Sequence, residues 1–129
     1  MGEEISTTMP EVDPVATAKT VQKYRIKHAF SRAPEYGCQV SKGFMMDSQR
    51  EDIDNLSRLR DRLLETGTTS TVATIRDRSN QFHQVTVAEL AEIVGELTDF
   101  GLGLYAKKWQ LEAAIDAAET VEEIQGINW

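Results

Sequence analysis

The chain has 129 residues, of which 40% are hydrophobic and 27% are charged, and this composition is typical of one globular domain. The net charge of -7 argues against a protein that works mainly on the nucleic-acid backbone, because such binding needs a basic surface. No apolar stretch reaches the roughly 20 residues that span a bilayer, and the acidic start Met1–Ile5 does not resemble a signal peptide. We therefore expect a protein that folds in the cytoplasm and whose partner is neither a membrane nor nucleic acid.

The first predicted element is a helix. Asp13 and Pro14 form a helix start, because Asp is a good N-cap and Pro fits the first helical position, where its missing N–H costs nothing. The helix is predicted to run from Pro14 to about Ser31, and Pro34 supports a stop nearby.

The next segment changes from helical periodicity to hairpin chemistry. Val40 and the run Phe44–Met46 flank Ser41–Gly43, whose composition favours a turn, so we predict a small hairpin. Ser48, followed by Glu51 three positions later, offers a capping box for a second helix.

That second helix has an apolar side and ends at a glycine. Its apolar positions are Ile53, Leu56, Leu59, Leu63 and Leu64. Gly67 is the predicted C-cap. A β-branched run from Thr68 to Ile75, a turn at Asp77–Asn80 and a second run at Gln81–Val85 predict another small hairpin.

The strongest pattern in the chain is a long amphipathic helix, which opens with a capping box formed by Thr86 and Glu89. Behind this box, mostly apolar positions recur at alternating spacings of three and four, which is typical of an a/d seam. The seam consists of Leu90, Val94, Leu97, Gly101, Leu104, Lys108, Leu111, Ile115 and Ala118. Thr120 and Glu123 form a third capping box, which opens a short last helix.

Together these elements predict an α+β fold that is predominantly helical, with a long C-terminal amphipathic helix and two small β-hairpins. Residues 1–12 show no periodicity and are expected to form a flexible N-terminal arm. Residues 13–129 are expected to form a single helical α+β domain.

One segment matches the sequence pattern of a cofactor site. The segment Gly101–Ala106 matches the G-x-G-x-x-A pattern of dinucleotide-binding folds. That function needs a helix that starts at the glycines, so that free amide groups meet the phosphates. Here the glycines lie inside a helical pattern, and we predict no cofactor. The structural alternative is the close approach of another backbone, or a kink, because each helical glycine costs about 1 kcal/mol relative to alanine.

The chain offers no constellation for catalysis or for a metal. Zinc needs several clustered ligands, and His28 and His83 are far apart with no Cys or second His beside either. Asp52–Asn55 begins like a calcium loop, but Ser57 and Leu63 stand where such a loop needs glycine and glutamate. We therefore predict neither a metal site nor enzymatic activity.

The first helix is locally basic. The residues concerned are Lys19, Lys23, Arg25, Lys27 and Arg32. One interpretation is a patch for nucleic acid or another anionic partner. The other, which we favour, is a solvated face or a face that meets the acidic residues of the long helix.

Three stretches carry a family resemblance when taken in order. They are Tyr36–Gln49, which closes on Asp-Ser-Gln, the polar segment Arg78–Leu90, and Ala113–Ile124 with the last residues Asn128 and Trp129. Over about residues 21–129 the chain resembles a domain of unknown function found at the C-terminal end of many tail-fibre and tail proteins of tailed bacteriophages. The resemblance brings no catalytic residues with it.

The resemblance implies a non-enzymatic structural or attachment component of the phage tail, associated with the fibre or the baseplate. Such a protein would be made in the host cytoplasm, reside in the virion and bind phage tail or fibre proteins. Two alternatives remain. One is a tail-fibre assembly chaperone, and the other is a small host-directed inhibitor, since an acidic surface can occupy a nucleic-acid groove.

The interaction surface is predicted to lie along the long helix. Seam side chains and two tryptophans make up the predicted interface, which consists of Leu90, Val94, Leu97, Leu104, Trp109, Leu111, Ile115 and Trp129. A seam of about 40 Å outruns a domain about 30 Å across, so its excess length needs a partner. We predict a homo-oligomer, and a trimer because fibres that resemble this family are trimeric. The alternative is a helix that folds back at Gly101–Gly103 into a monomeric bundle.

Overall fold

The computed structural model describes residues 12–67 and 72–129. In chain order these residues form α1 (Pro14–Arg32), a short 3-10 helix (Ala33–Tyr36), β1 (Cys38–Gln39), β2 (Met45–Met46), α2 (Arg50–Glu65), β3 (Val72–Arg76), β4 (Phe82–Thr86), α3 (Val87–Ala117) and α4 (Val121–Gln125). This is an α+β fold in which helices dominate, with a long C-terminal helix and two small antiparallel hairpins, which confirms the predicted fold class. Most of the arm predicted at residues 1–12 lies outside the described residues.

The start of α1 is fixed by the side chain before it. Asp13 Oδ1 accepts hydrogen bonds from the N–H groups of Val15 at 3.0 Å and Ala16 at 3.3 Å. Pro14 occupies the first turn, where no intrahelical donor is needed. The predicted start is confirmed, and the helix ends at Arg32, one residue beyond the predicted end.

The first hairpin forms where the sequence predicts it, with Cys38 of β1 opposite Met46 of β2. Val40 N–H donates to the Phe44 carbonyl, and Gly43 N–H donates to the Val40 carbonyl, both at 3.0 Å. Gly43 has a φ of +101°, a conformation that costs little only for glycine.

The second helix begins one residue later than the sequence indicates. The N-cap of α2 is Gln49 rather than Ser48, and the Gln49 N–H donates to Asp52 Oδ2 at 3.1 Å, so Glu51 is not the capping partner. Ser48 is buried, and its Oγ donates to the Pro34 carbonyl at 2.9 Å. A buried hydroxyl must find a partner, and this long-range contact takes Ser48 away from the capping position.

The far end of α2 follows the prediction closely. The helix ends at Glu65, and Gly67 lies just past the cap residue Thr66 with a φ of +75°, the left-handed conformation typical of a helix stop. Most of the predicted apolar side packs half-buried against the core, namely Ile53, Leu56, Leu59 and Leu63. Leu64 is exposed, because it lies at the edge of that side.

The second hairpin is also present. β3 pairs antiparallel with β4 from Val72 opposite Thr86 to Arg76 opposite Phe82. The first part of the predicted strand, residues 68–71, lies outside the described residues. The turn includes Asn80 at a φ of 64°, which Asn tolerates better than most side chains.

The long helix α3 has 31 residues and opens with the predicted capping box. Glu89 N–H donates to Thr86 Oγ1 at 3.1 Å, and Thr86 N–H donates to Glu89 Oε1 at 2.9 Å. The helix continues through Gly101 and Gly103, so the alternative of a helix that folds back there is wrong. A Cβ added at either glycine would meet nothing within 4 Å, so the expected close approach of another backbone does not occur within the described part of the chain.

The apolar interior consists of two clusters that share α3. The first joins both hairpins to the N-terminal half of α3, and its buried members are Cys38, Val40, Met46, Ala73, Ile75, Val85, Leu90, Ile93, Val94 and Leu97. The second joins α1 and α4 to the C-terminal end of α3, and its buried members are Ile26, Ile115, Ala118 and Ile124. One continuous helix therefore holds the two clusters together.

A buried glutamine attaches the last residues of the chain to α1. Gln22 Nε2 donates to the Ile127 carbonyl at 2.7 Å and to Asn128 Oδ1 at 3.1 Å. Gln22 Oε1 accepts from Arg25 at 3.4 Å. Sequence patterns missed this residue, because a Gln on a helix is ordinarily assigned to the solvent side.

The Gln22→Ala variant should be less stable than the natural chain. The substitution removes the two hydrogen bonds and leaves the Ile127 carbonyl without its partner, so we expect a loss of about 1–3 kcal/mol in the free energy of unfolding, measured by urea denaturation. Gln125→Ala, at an exposed position in α4, is the matched control and should change stability by less than about 0.5 kcal/mol. Equal losses in the two variants would show that Gln22 does not fasten this segment.

Candidate interaction surface

The structure divides the predicted interface residues by burial. Four are fully buried in the clusters of their own chain, namely Leu90, Val94, Leu97 and Ile115. Three are half-buried, namely Leu104, Leu111 and Trp129. Trp109 is the one exposed member, at 62%. In this fold the buried part of the seam closes within the chain, and Trp109 is the predicted residue most available to a partner.

Aromatic rings from three parts of the chain form a row that has Trp109 at one end. The ring centroid of Tyr105 lies 5.6 Å from that of Trp109 and 4.8 Å from that of Phe30 on α1. The Phe30 centroid lies 6.1 Å from that of Trp129. These tilted and edge-to-face arrangements are the favourable ones for aromatic pairs. Phe30, Tyr105, Trp109 and Trp129 are called the aromatic surface below.

Two lysines lie over rings of the aromatic surface. Lys107 Nζ is 4.4 Å from the ring centroid of Trp129, and Lys108 Nζ is 5.0 Å from that of Phe30. Lys108 also reaches Glu112 at 3.9 Å. The seam position of Lys108 is thereby explained, because its aliphatic stem is covered while its charge extends to a ring and a carboxylate.

An open groove lies beside the aromatic surface, where the end of α1 and the start of α2 both face the middle of α3. Its volume is about 480 Å³, and its lining includes Phe30, Pro34, Ile53, Leu102 and Tyr105. Leu102 is 61% exposed and Tyr105 is 44% exposed. Exposed apolar side chains gathered in one place are typical of an interaction site.

Basic residues of α1 attach that helix to α3. Lys23 forms an ion pair with Asp116, and Lys19 Nζ donates to the Asp116 carbonyl at 2.7 Å. For these two lysines the structure shows the favoured interpretation, in which the basic helix meets the acidic residues of the long helix.

The tip of the first hairpin docks on the acidic side of α3. Ser41 N–H donates to Glu96 Oε2 at 3.0 Å, and Lys42 Nζ lies 3.0 Å from Glu89 and 3.7 Å from Glu92. The hydrogen bond with Glu89 is the main reason that the pKa of Lys42 is raised. The capping hydrogen bond, and after it Lys42, lowers the pKa of Glu89, and hydrogen bonds from Ser41 lower the pKa of Glu96.

An Asp–His pair in the second hairpin has the residue types of a catalytic dyad. His83 Nε2 lies 2.7 Å from Asp77 Oδ2, and this hydrogen bond is the main cause of the lowered pKa of Asp77. The buried Asp77 also accepts the N–H groups of Ser79 at 2.8 Å and Gln81 at 3.0 Å. The His83 ring stacks on Phe44, with centroids 3.8 Å apart. The pair therefore holds its own turn in shape and ties the two hairpins together.

The remaining candidate sites show no arrangement suited to a ligand. Across residues 12–67 and 72–129, no group of three or more His, Cys, Asp or Glu could hold a metal ion. Gly101 and Gly103 lie inside α3, so their amide groups are bonded within the helix rather than free to meet a phosphate. Burial, and after it the charge of Glu96, raises the pKa of the Cys38 thiol, which favours its unreactive form. No helix in the described residues is long and apolar enough to cross a membrane.

Residues 17–128, from α1 to beyond α4, match the model of the family described as a domain of unknown function, DUF4376. The chain belongs to this family. No curated protein and no solved structure matches the chain significantly. The matched residues include the buried members of both apolar clusters and three of the four rings of the aromatic surface.

Sequence patterns indicated only half of the aromatic surface of this DUF4376 domain. Trp109 and Trp129 were predicted, whereas Phe30 and Tyr105 were not. Leu102, Tyr105 and Trp109 recur at spacings of three and four, a signal of a second apolar side on α3. Phe30 lies with Ile26, Ala29 and Ala33 on the apolar side predicted for the first helix, but this periodicity does not show that Phe30 meets Tyr105, because the two residues belong to distant elements.

Acid should destabilise the DUF4376 domain through Asp77. Because its pKa is lowered by folding, ionised Asp77 contributes stability that is complete above its unfolded pKa of about 3.9 and is lost as the pH falls through the folded value. We expect Asp77→Asn to lower the urea midpoint at neutral pH, and the difference from the natural chain to shrink below about pH 4. Asp61→Asn, at an exposed position in α2, is the control. A difference that stayed constant down to the lowest pH would contradict this role.

Proposed function

We propose that this DUF4376 domain is a non-enzymatic structural or attachment component of a bacteriophage tail, which acts by packing against other tail or fibre proteins. Two things support the proposal. One is the resemblance of Tyr36–Gln49, Arg78–Leu90 and Ala113–Ile124 to domains of phage tail proteins. The other is the aromatic surface, which is the observation on which the proposal mainly rests.

The aromatic surface has the properties of a binding hot spot. Trp109 and Tyr105 are 62% and 44% exposed, and covering apolar area contributes about 25 cal/mol for each Å² removed from water. Tyr and Trp are enriched among the residues that dominate binding energies. The rings already contact one another and Lys107 lies over Trp129, so little side-chain freedom remains to be lost on binding.

The polar groups of the domain support a packing role rather than a chemical one. Asp77 and His83 are hydrogen-bonded to each other, and Asp77 also accepts hydrogen bonds from two N–H groups of its own turn. Lys42 forms ion pairs with acidic residues of α3. These groups hold the hairpins in place, whereas Leu102, Tyr105 and Trp109 remain exposed in the described chain.

Mass spectrometry and immunogold electron microscopy of purified particles test the proposal. We expect the protein in mature particles, at the tail. An assembly chaperone would be bound to fibre protein in the lysate but missing from particles, and a host-directed inhibitor would be recovered with a host protein instead. Absence from mature particles would overturn the proposal.

Removing the two exposed rings should prevent incorporation. We expect the double variant Tyr105→Ala/Trp109→Ala to enter particles at least roughly tenfold less efficiently, since a hot-spot side chain contributes about 2 kcal/mol or more. Phe82→Ala, which removes an exposed ring from β4, is the matched control and should be incorporated normally. Both variants should unfold cooperatively above the temperature of the assay, although loss of the contact with Phe30 should lower the melting temperature of the double variant somewhat. Normal incorporation of the double variant would show that the aromatic surface is not the contact.

A further inference from the structure

The solvent side of α3 carries a second heptad pattern. Its members, called the outward stripe below, are Gly95, Asp99, Leu102, Ala106, Trp109 and Ala113, at alternating spacings of four and three. Every one of them is exposed, Leu102 at 61% and Trp109 at 62%. Only Asp99 is charged, whereas the solvent side of a helix ordinarily carries charged and polar residues.

The glycine in the outward stripe has no structural reason within the described chain. A Cβ added at Gly95 would meet nothing within 4 Å, although a glycine inside a helix costs about 1 kcal/mol relative to alanine. Ala106 lies between the two large side chains, Leu102 and Trp109, and Gly95 and Ala113 lie at the two ends of the stripe. These small residues leave the helix surface low at those positions. Such a surface allows another helix to approach closely.

We propose that the outward stripe pairs with the outward stripe of a second copy of this chain, the two α3 helices running antiparallel about a two-fold axis level with Leu104. In this register Leu102 packs on Ala106 of the second copy. Gly95 faces Ala113 of the second copy, and Trp109 faces its Asp99. The two-fold axis makes each of these contacts twice.

The outward stripe is complementary to itself in this register. Each large apolar side chain meets a small one or a hydrogen-bonding partner, because the indole N–H of Trp109 can donate to the carboxylate of Asp99, an acceptor that strengthens the bond by its charge. A parallel pairing lacks this complementarity. It places Asp99 against Asp99 and Trp109 against Trp109, and like charges brought together oppose association.

The net charge of -7 does not prevent this approach, because the acidic residues near both ends of the outward stripe are paired within the chain. Asp116 pairs with Lys23, and Glu92 lies 3.7 Å from Lys42. The remaining repulsion between two acidic copies is screened by salt, so association should strengthen as salt is added.

The size of the outward stripe sets the expected affinity. It extends about 27 Å along a helix about 10 Å across. Contact along that length covers on the order of 400 Å² of each copy, or about 800 Å² in total, which is below the size of stable specific interfaces and places the pair among weak, transient associations. We therefore expect a dissociation constant in the micromolar range. The pairing is two-fold, unlike the trimer that the fibre resemblance implies, and it does not depend on the proposed tail function.

Disulfide trapping tests the register. Two single variants of the full chain, Leu102→Cys and Ala106→Cys, are mixed and oxidised mildly, with the buried Cys38 kept in both. We expect cross-linked dimers in the mixture and far fewer in either variant alone, because like positions are offset along the helices and Cα atoms beyond about 7 Å cannot be bridged. A mixture of Leu102→Cys with Ala114→Cys, an exposed position beside the outward stripe, is the control and should remain uncross-linked. Self-cross-linking of each single variant, or none in the mixture, would overturn the proposal.

Light scattering tests the affinity. The natural chain should pass from monomer to dimer across the micromolar range, and Leu102→Asp should raise the dissociation constant at least roughly tenfold. Leu64→Asp, at an exposed position on α2, should leave it unchanged. Trp109→Phe and Asp99→Ala should each weaken the dimer, and the double variant should be no weaker than the more affected single one. A chain that stays monomeric at high micromolar concentration and high salt would exclude the pairing.

Discussion

Burial of the two ends of α3 against different parts of the chain is the interaction on which the rest of the structure depends. Leu97 is buried in the cluster that α3 forms with the hairpins. Ile115 is buried in the cluster that α3 forms with α1 and α4. Because α3 is one continuous helix, packing of one cluster around it also fixes where the other cluster lies. Between the buried ends, the middle of α3 is left partly uncovered, and it lines the groove and carries Tyr105, Trp109 and most of the outward stripe.

Polar contacts hold the smaller elements on this helix. The tip of the first hairpin is attached through Ser41 and Lys42, and the last residues are attached through Gln22. Exposed ion pairs are each worth little, so Lys42 serves mainly to orient the hairpin. The buried bonds of Gln22 and Asp77 matter more, because an unpaired polar group in the interior costs far more than an exposed one.

The position of the exposed rings suits them to binding. They are carried by the middle of a helix whose ends are anchored, so the surface is already in place before a partner arrives, and preorganisation of this kind lowers the entropic cost of association. Trp109 belongs to both the aromatic surface and the outward stripe, so a second copy and a different protein would compete for this side chain. The residues matched to the DUF4376 family contain the buried members of both apolar clusters and three of the four rings of the aromatic surface.

The sequence by itself determined the local features of this protein. Asp13, Thr86 and Thr120 cap helices where their patterns predict, Gly43 and Gly67 adopt the left-handed conformations that glycine favours, and hydrophobic periodicity gave the fold class. These signals are local, because a cap or a turn depends on residues within a few positions of each other.

Tertiary structure alone decided what covers each surface. Ser48 does not cap α2 as predicted, because its hydroxyl donates a hydrogen bond to the distant carbonyl of Pro34. The seam on α3 was visible in the sequence, but only the packing of α1, α2 and the hairpins shows that Leu90, Val94, Leu97 and Ile115 are covered by their own chain while Trp109 is not. Periodicity identifies which side of a helix is apolar and carries no information about which element, or which molecule, will lie against it.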